Sequence, residues 1–341
     1  MAFIWKLKSN KNFLVMKTLR MIGMALFAVL MCVNFASCSS EEDVEPNEPK
    51  EYTVSLGFTG EISVSESPLS RASGNDLYGI QIYSCPNNGT STTYSYYAYG
   101  LFDDTSLINI KLLEGYKYKF VATMVVDGKN QLGFGNSMAP SGIAPFYMSI
   151  TNYFKISHND YMSGIDRGES SMGGSKKYYR PKLDRYYGIT EDYVPTENGN
   201  VSIFMKRTAF GAKFIVENLE EGTVSINLNN APEMKIVYSE TETMGIFTFS
   251  DVAKAYSEDN YSEIVATEII WTKADGVIVP LGTHRITFKR NVLTTVTIKV
   301  ADITTENGIG ITLESGEMGT EGVTIENGKI VDTNVNTGTE E

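Results

Sequence analysis

The feature that most constrains the fold is a two-residue alternation of apolar and polar side chains that begins just after residue 50. Its apolar members are Tyr52, Val54, Leu56, Phe58, Ile62 and Val64. Alternation with this period is typical of a β-strand, because successive side chains of a strand point to opposite faces. One face of this segment should therefore pack on a core, and the other should face solvent or polar groups.

Short strands of the same kind are predicted along most of the remaining chain, with turns between them. In the first half they cover 77–83, 108–112 and 116–126, and Asp127-Gly128 predicts a hairpin turn after the last one. In the second half they cover 201–205, 212–216, 224–228, 264–271, 277–281, 285–288, 292–300 and 309–313. A single helical turn is predicted over 251–256, with Ser250 as its N-cap. Many short strands with turns between them indicate an all-β chain built from β-sandwiches.

A domain boundary is predicted at residues 199 and 200. The stretch 135–199 scatters glycine, serine and asparagine among tyrosines, which indicates long loops with short strands. We therefore expect an N-terminal β-sandwich domain over 51–199 and a C-terminal one over 200–315. The segment 316–341 is polar and acidic, which predicts a flexible tail. Within it, only Val323-Thr324-Ile325 and Lys329-Ile330-Val331 offer material for strands.

The first 37 residues predict an export signal. Basic residues precede an apolar run over 21–33, and Ala36 and Ser37 stand directly before Cys38. The apolar run is shorter than the roughly 20 residues that a membrane-spanning helix needs. A cysteine at this place resembles a bacterial lipobox, so we expect Cys38 to be the acylated first residue of the mature chain. A compact basic segment after Met16 also makes that methionine a better start than Met1.

Composition after the signal excludes several kinds of partner. The first 37 residues contain five basic and no acidic residues, so the rest carries 24 Lys+Arg against 41 Asp+Glu. No basic surface could dominate such a chain, and we expect no nucleic-acid partner. Residues 38–50 are acidic and contain proline, which predicts a solvated tether. Cys32 leaves with the signal and Cys38 is acylated, so Cys85 alone cannot form an intrachain disulfide.

Signals of catalysis are absent from the sequence. His158 and His284 are far apart without metal-ligand spacing, and no phosphate loop, nucleophile elbow or zinc motif is found. The acidic stretches 166–169 and 258–260 favour solvated turns over calcium sites, because neither has the spacing of an EF-hand. We therefore expect no catalytic residue, no metal and no cofactor. The tyrosines at positions 94, 96, 97 and 99 leave two interpretations open, a platform for stacking on sugars or packing between sheets.

One arginine stands in a short polar loop after the alternating strand. The loop is Ser65-Glu66-Ser67-Pro68-Leu69-Ser70-Arg71-Ala72-Ser73-Gly74. The order of lipidated cysteine, acidic tether, alternating strand, exposed arginine and new strand resembles the fimbrillin family, the subunits of type V pili. The stretch 205–214 resembles the strand that opens the C-terminal domain of that family, and 288–291 resembles a strand near its end. The acidic C-terminus departs from the apolar strand that ends many stalk subunits.

This resemblance implies two transthyretin-like β-sandwich domains in tandem with long loops. It also implies an arginine-specific surface protease that cuts between Arg71 and Ala72 and removes the lipid together with 51–71. Other fimbrial subunits would then be the partners by donor-strand exchange, and the outer membrane would hold the lipid before cleavage. The chain would be a tip, accessory or stalk subunit of cell-surface fimbriae that support adhesion and biofilm formation. The alternative is a surface glycan-binding lipoprotein of a nutrient-uptake system that keeps its lipid.

Overall fold

In the computed structural model, strands account for most of the residues that the structure describes. The structure describes residues 49–61, 74–132, 145–146, 148–162, 164–171 and 177–300, and the strand backbone of 310–316, 323–326 and 329–331. The alternation after residue 50 forms the first strand as far as Gly60, and burial alternates there as the sequence predicts. Ile62 and Val64, which continue the alternation in the sequence, lie outside the described residues. The prediction of an all-β chain is confirmed.

The first half builds one eight-stranded sheet. Its strands are β1 (Glu51–Gly60), β2 (Leu77–Pro86), β3 (Ser95–Phe102), β4 (Asn109–Leu113), β5 (Tyr116–Val125), β6 (Lys155–Ile156), β9 (Arg185–Tyr193) and β10 (Gly199–Arg207). Their order across the sheet is β4-β1-β10-β9-β5-β2-β3-β6. Two short strands, β7 (Ser170–Ser171) and β8 (Lys177–Tyr178), pair only with each other. A 3-10 helix covers Thr105–Leu107, and the short helix α1 covers Gly128–Gln131.

Apolar side chains cover both faces of this sheet. One face carries Val54, Leu56, Ile80 and Phe120 in a single buried group. Leu77 and other residues of the second face form a separate group, to which Val252 from the second half of the chain also belongs. Burial on both faces explains why consecutive residues are buried in the middle of β2 and over the second half of β5, where a one-sided strand would alternate.

The second half forms two further sheets. Its elements are β11 (Ala209–Glu217), β12 (Thr223–Leu228), β13 (Met234–Val237), β14 (Glu242–Thr248), α2 (Val252–Ser257), β15 (Ser262–Thr272), β16 (Ile278–Lys289), β17 (Leu293–Lys299), β18 (Gly310–Gly316), β19 (Val323–Glu326) and β20 (Lys329–Val331). The sheets run β14-β11-β17-β18-β19-β20 and β13-β12-β15-β16. One core contains Phe210 and Val296 from the first of them and Ile226 and Val265 from the second, as in a β-sandwich.

The transition between the two groups of strands falls after Arg207. Strand β10 follows the predicted boundary at 199 and 200, yet it pairs with β1 and β9 in the first sheet. Thr208 alone separates it from β11, which belongs to the second group. Both groups lie in one compact unit, Pro49–Glu341. The domain limits drawn from sequence stay a prediction.

Three local predictions differ from the structure. Asp127 adopts a left-handed backbone with φ 51° and begins helix α1 instead of a hairpin. The N-cap of α2 is Asp251 rather than Ser250, because the Asp251 carboxylate accepts a 2.9 Å hydrogen bond from the backbone N–H of Lys254. The region 135–199 contains the nine-residue strand β9 as well as the expected short strands. By contrast, strands β19 and β20 coincide with the two segments of the C-terminal tail that the sequence offered as strand material.

Candidate functional site

The predicted lipidation and cleavage residues, Cys38, Arg71 and Ala72, lie outside the described residues. The structure does describe strand β1, which lies between Cys38 and Arg71 in the sequence. A cut after Arg71 would separate this strand from the rest of the chain. The place that β1 occupies in the sheet is therefore the candidate functional site.

Strand β1 lies inside the first sheet with a neighbour on each side. Its residues 51–55 pair antiparallel with β4, from Glu51 opposite Leu113 to Ser55 opposite Asn109. Its residues 54–60 pair parallel with β10, from Val54 opposite Gly199 to Gly60 opposite Met205. Removing β1 would leave two strand edges facing each other across an open groove, with unpaired backbone groups along both.

The core-facing side of β1 is almost completely enclosed. The exposed fractions are 5% for Tyr52, 0% for Val54 and 4% for Leu56. The Tyr52 hydroxyl donates to the Glu114 carboxylate at 3.2 Å. Phe58 is half-buried, and its ring stacks on that of Tyr78 with centroids 5.3 Å apart. The alternation in sequence therefore corresponds to a row of side chains that fill the core.

Glu61, the residue directly after β1, is held by two arginines. Its two carboxylate oxygens each accept a 2.8 Å hydrogen bond from Nη1 of Arg290. The same carboxylate accepts a 2.7 Å hydrogen bond from the backbone N–H of Arg207. The side chain of Arg290 is only 8% exposed, whereas that of Glu61 is 30% exposed. Strand β1 thus ends on a partly buried ion pair with a residue that lies 229 positions later in the chain.

A second ion pair supports the first. The Arg207 guanidinium donates to both carboxylate oxygens of Asp184, at 2.8 Å from Nε and 2.7 Å from Nη2. Burial alone would lower the pKa of Arg207, but the hydrogen bonds and charge of Asp184 raise it above its ordinary value. Arg207 therefore stays a cation. Arg290 also donates to the backbone carbonyls of Arg207 at 3.1 Å and of Asp259 at 3.3 Å.

The structure brings together two motifs that the sequence showed only separately. Arg207 comes from the stretch 205–214, and Arg290 comes from the stretch 288–291. Both contact the end of β1 through Glu61. Sequence reasoning missed Glu61, because an acidic residue at a polar position of an alternating segment is ordinary.

The tyrosines at positions 94, 96, 97 and 99, in β3 and directly before it, have two kinds of surroundings. Tyr97 donates to the carbonyl of Lys111 at 2.9 Å, and Tyr99 stacks on Tyr161 with centroids 4.6 Å apart. These two are packing residues. Tyr94 and Tyr96 instead line a cavity of 540 Å³. Its other side chains are mostly aromatic or charged, and they include Tyr83, Tyr187, Lys119, Asp160, Asp166 and Glu169.

The groups considered for metal binding have other contacts. Nδ1 of His158 lies 3.3 Å from the carbonyl of Tyr96, and Nε2 of His284 lies 3.1 Å from that of Leu281. Asp259 forms an ion pair with Lys206 at 2.5 Å. Over the described parts of the chain, no group of three or more His, Cys, Asp or Glu side chains could hold a metal ion. No helix in those same parts is long and apolar enough to cross a membrane.

Comparison with known proteins gives structural neighbours but no family. No protein-family model and no curated protein matches the chain. The fimbrial anchor protein Mfa2 from Porphyromonas gingivalis aligns over 82% of this chain and 100% of its own, with 8% identity and a TM-score of 0.36. A fimbrial assembly protein from Parabacteroides distasonis aligns over 81% and 99%, with 12% identity and a TM-score of 0.35.

A putative polysaccharide binding protein from Bacteroides thetaiotaomicron aligns over 84% of this chain and 98% of its own, with 11% identity and a TM-score of 0.31. Fimbrial proteins are thus among the structures found, as the sequence motifs led us to expect. All of these TM-scores are below 0.5, so the case for function rests on the geometry of β1 and Glu61.

Proposed function

We propose that this chain is a structural subunit of cell-surface fimbriae that is exported as a lipoprotein and assembled by protease-triggered strand exchange. The observation that carries the proposal is the position of β1. A strand that lies between the predicted lipid anchor and the predicted cleavage residue also lies inside a sheet, between β4 and β10. Cutting the chain after Arg71 would free that strand and the lipid together.

Export through a lipidated cysteine is the first step of this scheme. Acyl chains contribute roughly 0.8 kcal/mol per buried CH₂, so several chains hold a protein on a membrane durably. The lipid would hold the precursor on the outer surface of the cell. The acidic tether 38–50 would keep the folded part away from the membrane. The lipid is lost on cleavage, which favours a tip, accessory or stalk subunit over a permanent basal anchor.

The burial of β1 contributes a large part of the free energy that stabilises its domain. Burying Tyr52, Val54 and Leu56 contributes about 1.5–3 kcal/mol each, or about 4.5–9 kcal/mol together. The whole stability of a domain is about 5–15 kcal/mol. A subunit without β1 would be poorly stable until another strand filled the groove, and a strand of a second subunit would satisfy the two exposed edges. Cleavage would thus act as the switch for assembly, and adhesion and biofilm formation would follow from the fibre.

The test of the switch uses the soluble chain from residue 39 onward and an arginine-specific protease. We expect a new N-terminus at Ala72 together with higher-order species on size-exclusion chromatography. Arg71→Ala should stay monomeric under the same treatment, which separates this cut from cuts at other arginines. A wild-type chain that is cut at Arg71, loses β1 and remains a folded monomer would show that the strand is dispensable.

Lipidation has its own test in intact cells. Metabolic labelling with a fatty-acid analogue should mark the wild type and disappear in Cys38→Ala. Cys32→Ala is the matched control, because this cysteine lies in the apolar run of the signal and should leave labelling intact. Labelling that persists in Cys38→Ala would contradict the assignment.

The second candidate function is glycan binding, which the 540 Å³ cavity favours. Tyrosines that line a cavity next to carboxylates can stack on a sugar and accept hydrogen bonds from its hydroxyls. Such a protein would keep its lipid and β1 throughout. Retention of the wild type on a polysaccharide column, lost in Tyr96→Ala without a change in stability, would favour this function over the fimbrial one.

A further inference from the structure

We infer that the groove left by β1 recognises an incoming strand by a carboxylate placed where that of Glu61 lies. This inference rests on the proposed strand exchange and specifies the chemistry of the partner. The partner strand would run parallel to β10 and antiparallel to β4, as β1 does. It would carry apolar side chains at the positions of Tyr52, Val54 and Leu56 and an aspartate or glutamate five residues after the last of them.

The contacts of Glu61 define the recognition site. Three hydrogen bonds reach its carboxylate, two from one nitrogen of Arg290 and one from the backbone of Arg207. Hydrogen bonds to charged groups are the strong ones, and their donors are fixed in place. Arg290 is anchored by two backbone carbonyls, and Arg207 is anchored by Asp184. The site is therefore built by residues that remain after β1 has left.

Departure of β1 would leave the positive charge of Arg290 without its carboxylate. This side chain is 8% exposed, and its Nε makes no hydrogen bond within the part of the chain that the structure describes. The neighbouring carboxylates are already engaged, since Asp184 pairs with Arg207 and Asp259 pairs with Lys206. A buried charge without a partner is costly, so the empty groove favours a ligand that brings an anion.

The position of the anion also fixes the register of the incoming strand. Slipping a strand by one residue turns its apolar side chains away from the core. Slipping it by two keeps the apolar face but moves the carboxylate by about 6–7 Å, out of reach of Arg290. Apolar side chains thus select the face of the partner strand, and the arginine selects its register. A neutral strand with the same apolar pattern would leave Arg290 unpaired and would bind less tightly.

The experiment separates carboxylate recognition from cleavage at Arg71. A recognition site for a sequence-specific protease replaces part of 62–73 in the soluble chain, so that the nick does not depend on Arg71. The nicked protein is then incubated with a fluorescent peptide of residues 50–61, and fluorescence polarisation reports its capture. The C-terminus of the peptide is amidated, so that Glu61 carries its last carboxylate. A second peptide differs only by Glu61→Gln.

We expect the glutamate peptide to bind nicked wild-type protein about ten- to a hundredfold more tightly than the glutamine peptide, as for hydrogen bonds to a charged group. In an Arg290→Gln protein the two peptides should bind equally. Arg285→Gln is the matched control, because Arg285 is an exposed residue of β16, the strand that ends directly before Arg290, and should leave the preference intact. The comparison of the two peptides on wild-type protein needs no variant, so it stands even if Arg290→Gln fails to fold.

Each of the remaining outcomes of this experiment leads to a different conclusion. Equal binding of the two peptides to wild-type protein would overturn carboxylate recognition and leave strand exchange standing. Capture of neither peptide, even after unfolding and refolding of the nicked chain in their presence, would overturn strand exchange and this inference with it. Loss of the preference in Arg285→Gln as well would show that net charge, and not Arg290, attracts the peptide.

Discussion

Shortening one buried side chain of β1 measures how much stability this strand supplies. Leu56 belongs to the core of the first sheet and lies opposite Val201 of β10. We expect Leu56→Ala to lower the free energy of unfolding by about 2–5 kcal/mol, because the core loses apolar contacts and keeps a cavity. The paired strands on both sides of β1 prevent the sheet from collapsing into that space.

The assay is urea unfolding followed by far-ultraviolet circular dichroism, with Ser55→Ala as the control. Ser55 is exposed on the same strand, so its truncation should change the free energy of unfolding by no more than about 0.5 kcal/mol. The dependence of stability on urea should be alike in the two variants, since both expose the same surface when they unfold.

Leu56→Ala should also weaken the binding of the β1 fragment to the rest of the protein after the chain has been nicked. A loss of 2–5 kcal/mol corresponds to a decrease of about 30- to 5,000-fold in the affinity of the fragment, since about 1.4 kcal/mol is tenfold. Nicked Leu56→Ala protein should therefore release the fragment on a sizing column where nicked wild type retains it. If Leu56→Ala costs no more than Ser55→Ala, β1 contributes little to the core and the reasoning behind strand exchange is wrong.

Three further predictions concern the rest of the fold. A Cβ on Gly168 would lie 1.9 Å from the backbone carbonyl oxygen of Phe249, so Gly168→Ala should lower the melting temperature by several degrees. Gly199→Ala, which meets nothing within 4 Å, should not, and equal melting of the two variants would contradict the packing. Burial raises the pKa of Tyr78 to about 12, above its value in the unfolded chain. Stability from this group is complete below pH 10 and lost as the pH rises towards 12, so the urea midpoint should fall over that range. Absorbance at 295 nm that titrates entirely near pH 10 in folded protein would refute this. Tyr97→Ala should lower thermal stability and leave retention on a polysaccharide column unchanged, and the reverse outcome would make this tyrosine part of a binding site.

Strands with one face on the core were predictable, because their apolar and polar residues alternate in the sequence. The burial of β1 alternates as its sequence does, and β15 covers the strand predicted over 264–271. Which strands pair with one another is not visible in the sequence in this way. Val54 and Gly199 are 145 positions apart, and nothing in either segment announces that β1 and β10 run parallel. For the same reason the transition between the sheets could not be placed after Arg207.

The sequence did not predict strand β9, because the strand begins with an arginine. Arg185 is fully buried, yet an arginine ordinarily indicates a solvated position. Its guanidinium donates to the carbonyls of Ile165 and Arg167 and to the Thr123 hydroxyl. Burial lowers the pKa of Arg185 to about 10. Only the assembled loop and sheet supply these acceptors, so no local reading of the sequence could place the residue in a core.

The two neighbours of β1 pair with different parts of it, whereas the two neighbours of β2 pair with largely the same part. Strand β2 is paired along most of its length on both sides, with β5 over 77–86 and with β3 over 78–84. The two ladders of β1 overlap only at Val54 and Ser55. Its first half is therefore held mainly by β4 and its second half mainly by β10. Under the proposed exchange, the second half of β1 could leave β10 while its first half still pairs with β4, and an incoming strand could pair with β10 in its place. The ion pair of Glu61 lies at the β10 end of β1, so departure from that end must break it first, and its re-formation would mark a strand fully in register.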